Sequence, residues 1–135
     1  MMTEEKSFTS CTSELKQIRD FVESTCANSP FSSDKLAATV LAVDEACANV
    51  IRHGYDMDKS GCISLVITLN DDHAVFTVKD TCSEISDHTI RPKKKSLKEP
   101  GGLGLHLIHT VAESVRLVPH EGCGNWLELI VSYGE

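Results

Sequence analysis

The chain changes its hydrophobic period three times. Leu15, Ile18, Val22 and Cys26 recur every three or four residues, the spacing of one face of an α-helix. Asn28-Ser-Pro-Phe-Ser-Ser-Asp34 interrupts this pattern and offers capping oxygens for a second helix, predicted from about Lys35 to Arg52 and ended at Gly54. From Cys62 the period becomes two. Ile63, Leu65, Ile67 and Leu69 alternate with polar or smaller residues, which predicts a half-buried strand. Asn70-Asp-Asp-His73 turns it, and Ala74 to Lys79 returns as a second strand rich in Val, Phe and Thr. Residues 81–100 follow neither period and contain Pro92, Lys93-Lys94-Lys95 and Pro100. A third helix opens at Gly101-Gly-Leu-Gly104, with Leu107, Ile108, Val111 and Val115 on one face. Strands at roughly Ser114–Val118 and Trp126–Ser132, joined through Pro119, Gly122 and Gly124, close the pattern.

The order helix, helix, hairpin, long loop, helix, hairpin predicts an α+β fold, a two-layer sandwich with helices on one face of a mainly antiparallel sheet. At 135 residues it fits a single domain, 1–135. The net charge of −7, from 20 acidic residues against 13 Lys and Arg, argues against a general affinity for nucleic acid, which needs cations against phosphates. No apolar run is long enough to span a bilayer and no charged start leads into an apolar signal segment, so a cytoplasmic location with no membrane partner is expected. None of the six cysteines pair as C-x-x-C. Several fall on apolar-periodic positions, so they read mainly as small buried hydrophobes in a reducing compartment.

Three polar features stand out against this pattern. On a helical wheel, Leu36, Val40, Val43, Cys47 and Val50 share the face expected to meet the sheet, while Glu45 and Asn49, four residues apart, point away from it. Ala38 and Ala42 beside them would leave room for a ligand, and Arg52 lies further along. Taken alone, the pair also suits a plain exposed face. Asp80, at the end of Val-Phe-Thr-Val-Lys-Asp, is either a turn residue or an acceptor for a ligand N–H. Pro-Gly-Gly-Leu-Gly-Leu, residues 100–105, would let backbone N–H groups approach an anion at a helix start, although capping alone would use the same glycines.

Together and in this order, E-A-C-A-N-V-I-R-H-G-Y, V-K-D, G-G-L-G-L-H-L-I and G-N-W-L-E-L resemble the GHKL-type ATPase fold, and within it the anti-sigma-factor serine kinases. The resemblance runs from about Leu15 to Ser132. It implies that Glu45 is the general base, that Asn49 holds Mg²⁺, and that Asp80 accepts a hydrogen bond from the adenine amino group of ATP. It further implies that Gly102, Gly104 and Leu105 cradle the phosphates, that His53 belongs to the nucleotide motif, and that residues 81–100 form an ATP lid. Its partners would be a sigma factor and an anti-anti-sigma protein of the STAS type, and its assembly a homodimer.

One departure bears on this expectation. Where the family reads D-x-G, this chain reads Asp80-Thr81-Cys82, and a side chain replaces the glycine that lets the backbone pass close to adenine. The alternative reading is therefore a non-catalytic nucleotide-binding partner-switch module with a weakened ATP site. An ATPase or phosphotransfer domain detached from a sensor histidine kinase is disfavoured, because no phosphoacceptor-His helix is read ahead of the domain and His53 lies inside the nucleotide motif.

Overall fold

The computed structural model describes residues 1–54, 61–81, 102–122 and 124–134, with the side chains of 53, 54 and 102–105 outside the description. Among the described residues the elements run β1 (Met2–Thr9), α1 (Leu15–Cys26), α2 (Ser33–Asn49), β2 (Cys62–Leu69), β3 (His73–Lys79), α3 (Gly102–Val111), β4 (Ser114–Leu117) and β5 (Trp126–Ser132). A short 3₁₀ turn, Thr12–Glu14, leads into α1, and a π-helical turn, Val50–Gly54, continues α2. The strands form one antiparallel sheet in the order β1-β2-β3-β5-β4. This is the α+β arrangement predicted from the order of periods.

Alternation in the strands creates the core. Ile63, Leu65 and Ile67 of β2, Ala74, Phe76 and Val78 of β3, and Leu129 and Val131 of β5 are buried on one sheet face. Ile18, Val22 and Cys26 of α1 and Val40, Val43 and Cys47 of α2 close over them, with Ile108 and Val111 of α3. Helix α2 packs against both α1 and α3, and Arg19 Nη1 ties α1 to α2 by donating to Asp44 Oδ1 at 3.1 Å.

Four boundaries differ from the sequence expectation. β1 was not anticipated: Glu4, Glu5 and Lys6 mask its period, and only Phe8, 5% exposed, reaches the core. Charged side chains are what a sheet-edge strand carries to discourage pairing with other chains. α2 starts before Lys35 because Ser32 caps it, its Oγ accepting from the Lys35 N–H at 3.1 Å. Its last turn, 50–54, is π-helical rather than α-helical. Val115, expected on the third helix, instead belongs to β4, since α3 stops at Val111.

The cysteines divide. Cys26 and Cys47 are buried as expected, whereas Cys62 is exposed and Cys11 half-buried. Burial pushes the Cys26 thiol up to about 11; burial, then the Asp44 carboxylate, push Cys47 up to about 12. Cys82 and Cys123 lie outside the described residues.

Candidate functional site

Glu45 and Asn49 do share one stripe of α2, and Arg52 joins them. Positions i, i+4 and i+7 fall on one side of a helix. The same guanidinium nitrogen, Arg52 Nη2, donates to Asn49 Oδ1 at 2.8 Å and to Glu45 Oε2 at 3.3 Å. The carboxylate and the amide oxygen therefore converge on one point, which a cation occupies. Arg52 and Glu45 side chains remain 40% and 29% exposed, so this pair meets solvent.

The alanines serve another purpose than the one predicted. Ala42, expected to leave ligand room, is fully buried in the core, along with Ala46 and Ala48, and Ala38 packs against it. Because α2 is flanked by helices on both sides, its buried arc is wider than one wheel face. Small residues there allow close helix packing, and the polar stripe is correspondingly narrow.

Asp80 is not a free turn residue. It is 8% exposed, and its Oδ1 accepts two hydrogen bonds from Asn125, one from the backbone N–H and one from Nδ2, both at 3.1 Å. The Asp80 N–H in turn donates to the Asn125 carbonyl at 3.0 Å. The β3–β5 register, with Lys79 opposite Trp126, puts these two residues side by side just beyond the strands. Gly124 makes the approach possible. Its φ is +89°, and a Cβ there would stand 1.8 Å from the Asp80 carbonyl oxygen.

Next to this junction, Trp126 stacks on His120 with ring centroids 4.3 Å apart, while Lys79 Nζ lies 4.3 Å from the Trp126 ring centroid. Arg52, Asn125 and Gly124 were not picked out as site residues from the sequence. Arg52 was signalled by its spacing from Glu45 and Asn49; the other two stand in the quoted G-N-W-L-E-L stretch, but their approach to Asp80 depends on strand register, which carries no local signal.

Gly102, Gly104 and Leu105 are residues of the first turn and a half of α3, which packs against α2. Backbone N–H groups at a helix start are unsatisfied within the helix and favour an anion. The backbone of His53 lies in the π-helical turn after Asn49. The expected lid lies outside the described residues from residue 82 onward.

The donor chemistry suits Mg²⁺. Asn49 Oδ1 is a hard oxygen already facing a cationic nitrogen, and among the described residues no group of three or more His, Cys, Asp or Glu side chains gathers to hold a metal by itself. Mg²⁺ commonly takes one or two protein oxygens and completes its shell with phosphate and water.

Comparison with known proteins bears on the family and the fold. Residues 8–131 match the histidine kinase-like ATPase domain. The chain is 30% identical over 101 residues to the serine-protein kinase RsbW of Bacillus subtilis, covering 68% of this chain and 62% of that protein. It is 31% identical over 96 residues to RsbW of Bacillus licheniformis, covering 64% and 59%. The aligned part thus spans about three-fifths of the curated relatives. Among solved structures, the RsbU and RsbW domains of a Mycobacterium tuberculosis protein superpose with a TM-score of 0.67 at 19% identity, over 98% of this chain and 32% of that one. A blue-light activated histidine kinase domain from Erythrobacter litoralis gives 0.55 at 14%, over 89% and 59%. At these identities the solved structures speak to the fold, and the match over residues 8–131 speaks to the family. The chain belongs to the histidine kinase-like ATPase domain family.

Proposed function

We propose that the chain is an ATP- and Mg²⁺-dependent protein serine/threonine kinase that acts as an anti-sigma factor. In this reading it binds a sigma factor and phosphorylates a STAS-type anti-anti-sigma protein on a hydroxyl, working as a cytoplasmic homodimer built from one domain, 1–135. The observation that carries it is the convergence of Glu45 Oε2 and Asn49 Oδ1 on one cationic nitrogen, inside a family whose relatives include proteins named serine-protein kinase.

Each residue then has a definite task. Asp80, held by Asn125, accepts a hydrogen bond from the exocyclic amino group of adenine. Backbone N–H groups at Gly102, Gly104 and Leu105 receive phosphate oxygens at the start of α3. His53 contributes at the end of the same motif, and residues 81–100 cover the nucleotide. Asn49 Oδ1 holds Mg²⁺, which when bound neutralises charge on the phosphate oxygens. Glu45 takes the proton from the attacking hydroxyl as its oxygen bonds to the γ-phosphorus and the bond to the β–γ bridging oxygen breaks, releasing ADP.

The second reading, a nucleotide-binding switch without catalysis, draws on Cys82 in place of glycine. Transfer of label from γ-labelled ATP to a STAS-type protein captured on the chain separates them. Labelled partner supports the kinase; ATP binding without label supports the switch.

A further inference from the structure

We infer that Leu41 and Ala37, one and two turns before Glu45 on the exposed side of α2, seat the protein segment that carries the acceptor hydroxyl. They favour a segment with an apolar side chain close to its serine or threonine. This rests on the proposed kinase reading and states what its substrate presents.

Burial first sets Leu41 apart. Helix α2 buries a wide arc that includes Ala42, Val43, Ala46 and Cys47, yet Leu41 remains 52% exposed. Among the described residues, the other large exposed hydrophobic side chains are Met1 and Met2. A single exposed leucine is ordinary on a protein surface, so its exposure alone assigns nothing. Its place does. Ala37, Leu41 and Glu45 follow at four-residue steps and so are neighbours on the helix surface, and Ala37 is exposed as well. The helical rise puts Leu41 about 6 Å and Ala37 about 12 Å from Glu45 along the axis.

The reaction supplies the direction. In phosphoryl transfer the attacking and leaving oxygens lie roughly in line, with the phosphorus between them. The nucleotide is proposed to run from Asp80 past the start of α3 to Asn49, one turn beyond Glu45. The acceptor then comes from the opposite end of the stripe, which is the Leu41 end. A hydroxyl within hydrogen-bond reach of Glu45 brings its flanking residues over Leu41. Beside this seat, Arg19 Nη1 already donates to Asp44 Oδ1 at 3.1 Å, so the nearby charges are paired with each other and apolar contact is what the surface offers.

The test is transfer from γ-labelled ATP to the STAS-type protein captured on the chain, once purified. KM for that protein and kcat are measured for wild type, Leu41→Ser and Leu41→Met, with Mg-ATP affinity in parallel. Leu41→Ser is expected to raise this KM about four- to tenfold, the factor that corresponds to half a leucine side chain losing its apolar cover. Its kcat and Mg-ATP affinity should match wild type, and Leu41→Met, still apolar and of similar volume, should restore KM to within about twofold. An unmoved KM overturns the inference. So does a change in Mg-ATP affinity of the same size, which places Leu41 against the nucleotide, or a change of oligomeric state by light scattering, which places it between copies of the chain.

Failure of the kinase reading shows separately, as a wild-type chain that labels nothing. The seat is then judged by calorimetric titration of the same STAS-type protein into each variant. Binding to Leu41→Ser about four- to tenfold weaker than to wild type, with Leu41→Met restored, sustains it. Equal binding by Leu41→Ser, or none by wild type, overturns it.

Discussion

Asn125 gives two hydrogen bonds to a single carboxylate oxygen of Asp80, although the residues lie 45 positions apart. The pairing fixes the buried carboxylate at the end of β3, and the backbone bond from Asp80 N–H to the Asn125 carbonyl closes it from the other side. Hydrogen bonds to a charged group contribute about 1.5–3 kcal/mol each. Asn125→Ala removes the side-chain bond and keeps the backbone one. It is expected to lower unfolding stability by roughly 1–3 kcal/mol, read by chemical denaturation, and to weaken ATP binding with it. Unchanged stability would mean that Asp80 is held by other contacts.

Gly124 is expected to tolerate no side chain. Alanine there must either abandon φ +89° or push a Cβ into the Asp80 carbonyl oxygen, and both distort the Asp80–Asn125 junction. Gly122, with φ +100° but no atom within 4 Å of its would-be Cβ, is the internal control. Gly124→Ala should lower the midpoint of thermal unfolding clearly more than Gly122→Ala. Equal losses would show that backbone conformation alone, and not the close approach, matters.

Cys47 makes stability fall at high pH. Its thiol is pushed from 9.0 to about 12, mainly by burial and secondly by Asp44, so the folded chain keeps a proton that the unfolded chain loses. The contribution is fully present below about pH 9 and is lost as pH rises from there towards about 12. Cys47→Ala is expected to flatten this decline in denaturant titrations between pH 8.5 and 10.5. In the native protein at pH 8, a thiol reagent should modify Cys62 readily and leave Cys26 and Cys47 until guanidinium is added. Rapid native labelling of Cys47 would contradict its burial.

How far the sequence reached follows from where each signal lives. The strands β2 and β3 and the helix α1 were legible because their apolar positions repeat within a few residues, and Glu45 with Asn49 was legible as a stripe on a wheel. β1 escaped because Glu4, Glu5 and Lys6 of an edge strand hide its single core residue, Phe8. Ala42 misled for a related reason: a wheel shows the direction of a side chain, but not whether a second helix waits on that side. Asn125 stood in the quoted G-N-W-L-E-L stretch, but its role was out of reach. Its tie to Asp80 depends on the pairing of β3 with β5, and no spacing within either strand announces it.

Glu45 and Asn49 should separate chemistry from binding. Glu45→Gln keeps the shape, removes a negative charge near the phosphates, and cannot accept the proton. It should bind Mg-ATP as well as wild type or better, while phosphate transfer to the captured STAS-type protein falls by at least ~10²-fold. Wild-type transfer by Glu45→Gln would remove Glu45 from the role of base.

The most direct measurement is a calorimetric titration of Mg-ATP into the wild-type chain, with Asn49→Ala in parallel. The expected result is one nucleotide per chain, binding weakened when Mg²⁺ is chelated and largely lost in Asn49→Ala. No heat of binding at millimolar Mg-ATP, or equal binding by Asn49→Ala, would contradict a nucleotide site built on Asn49.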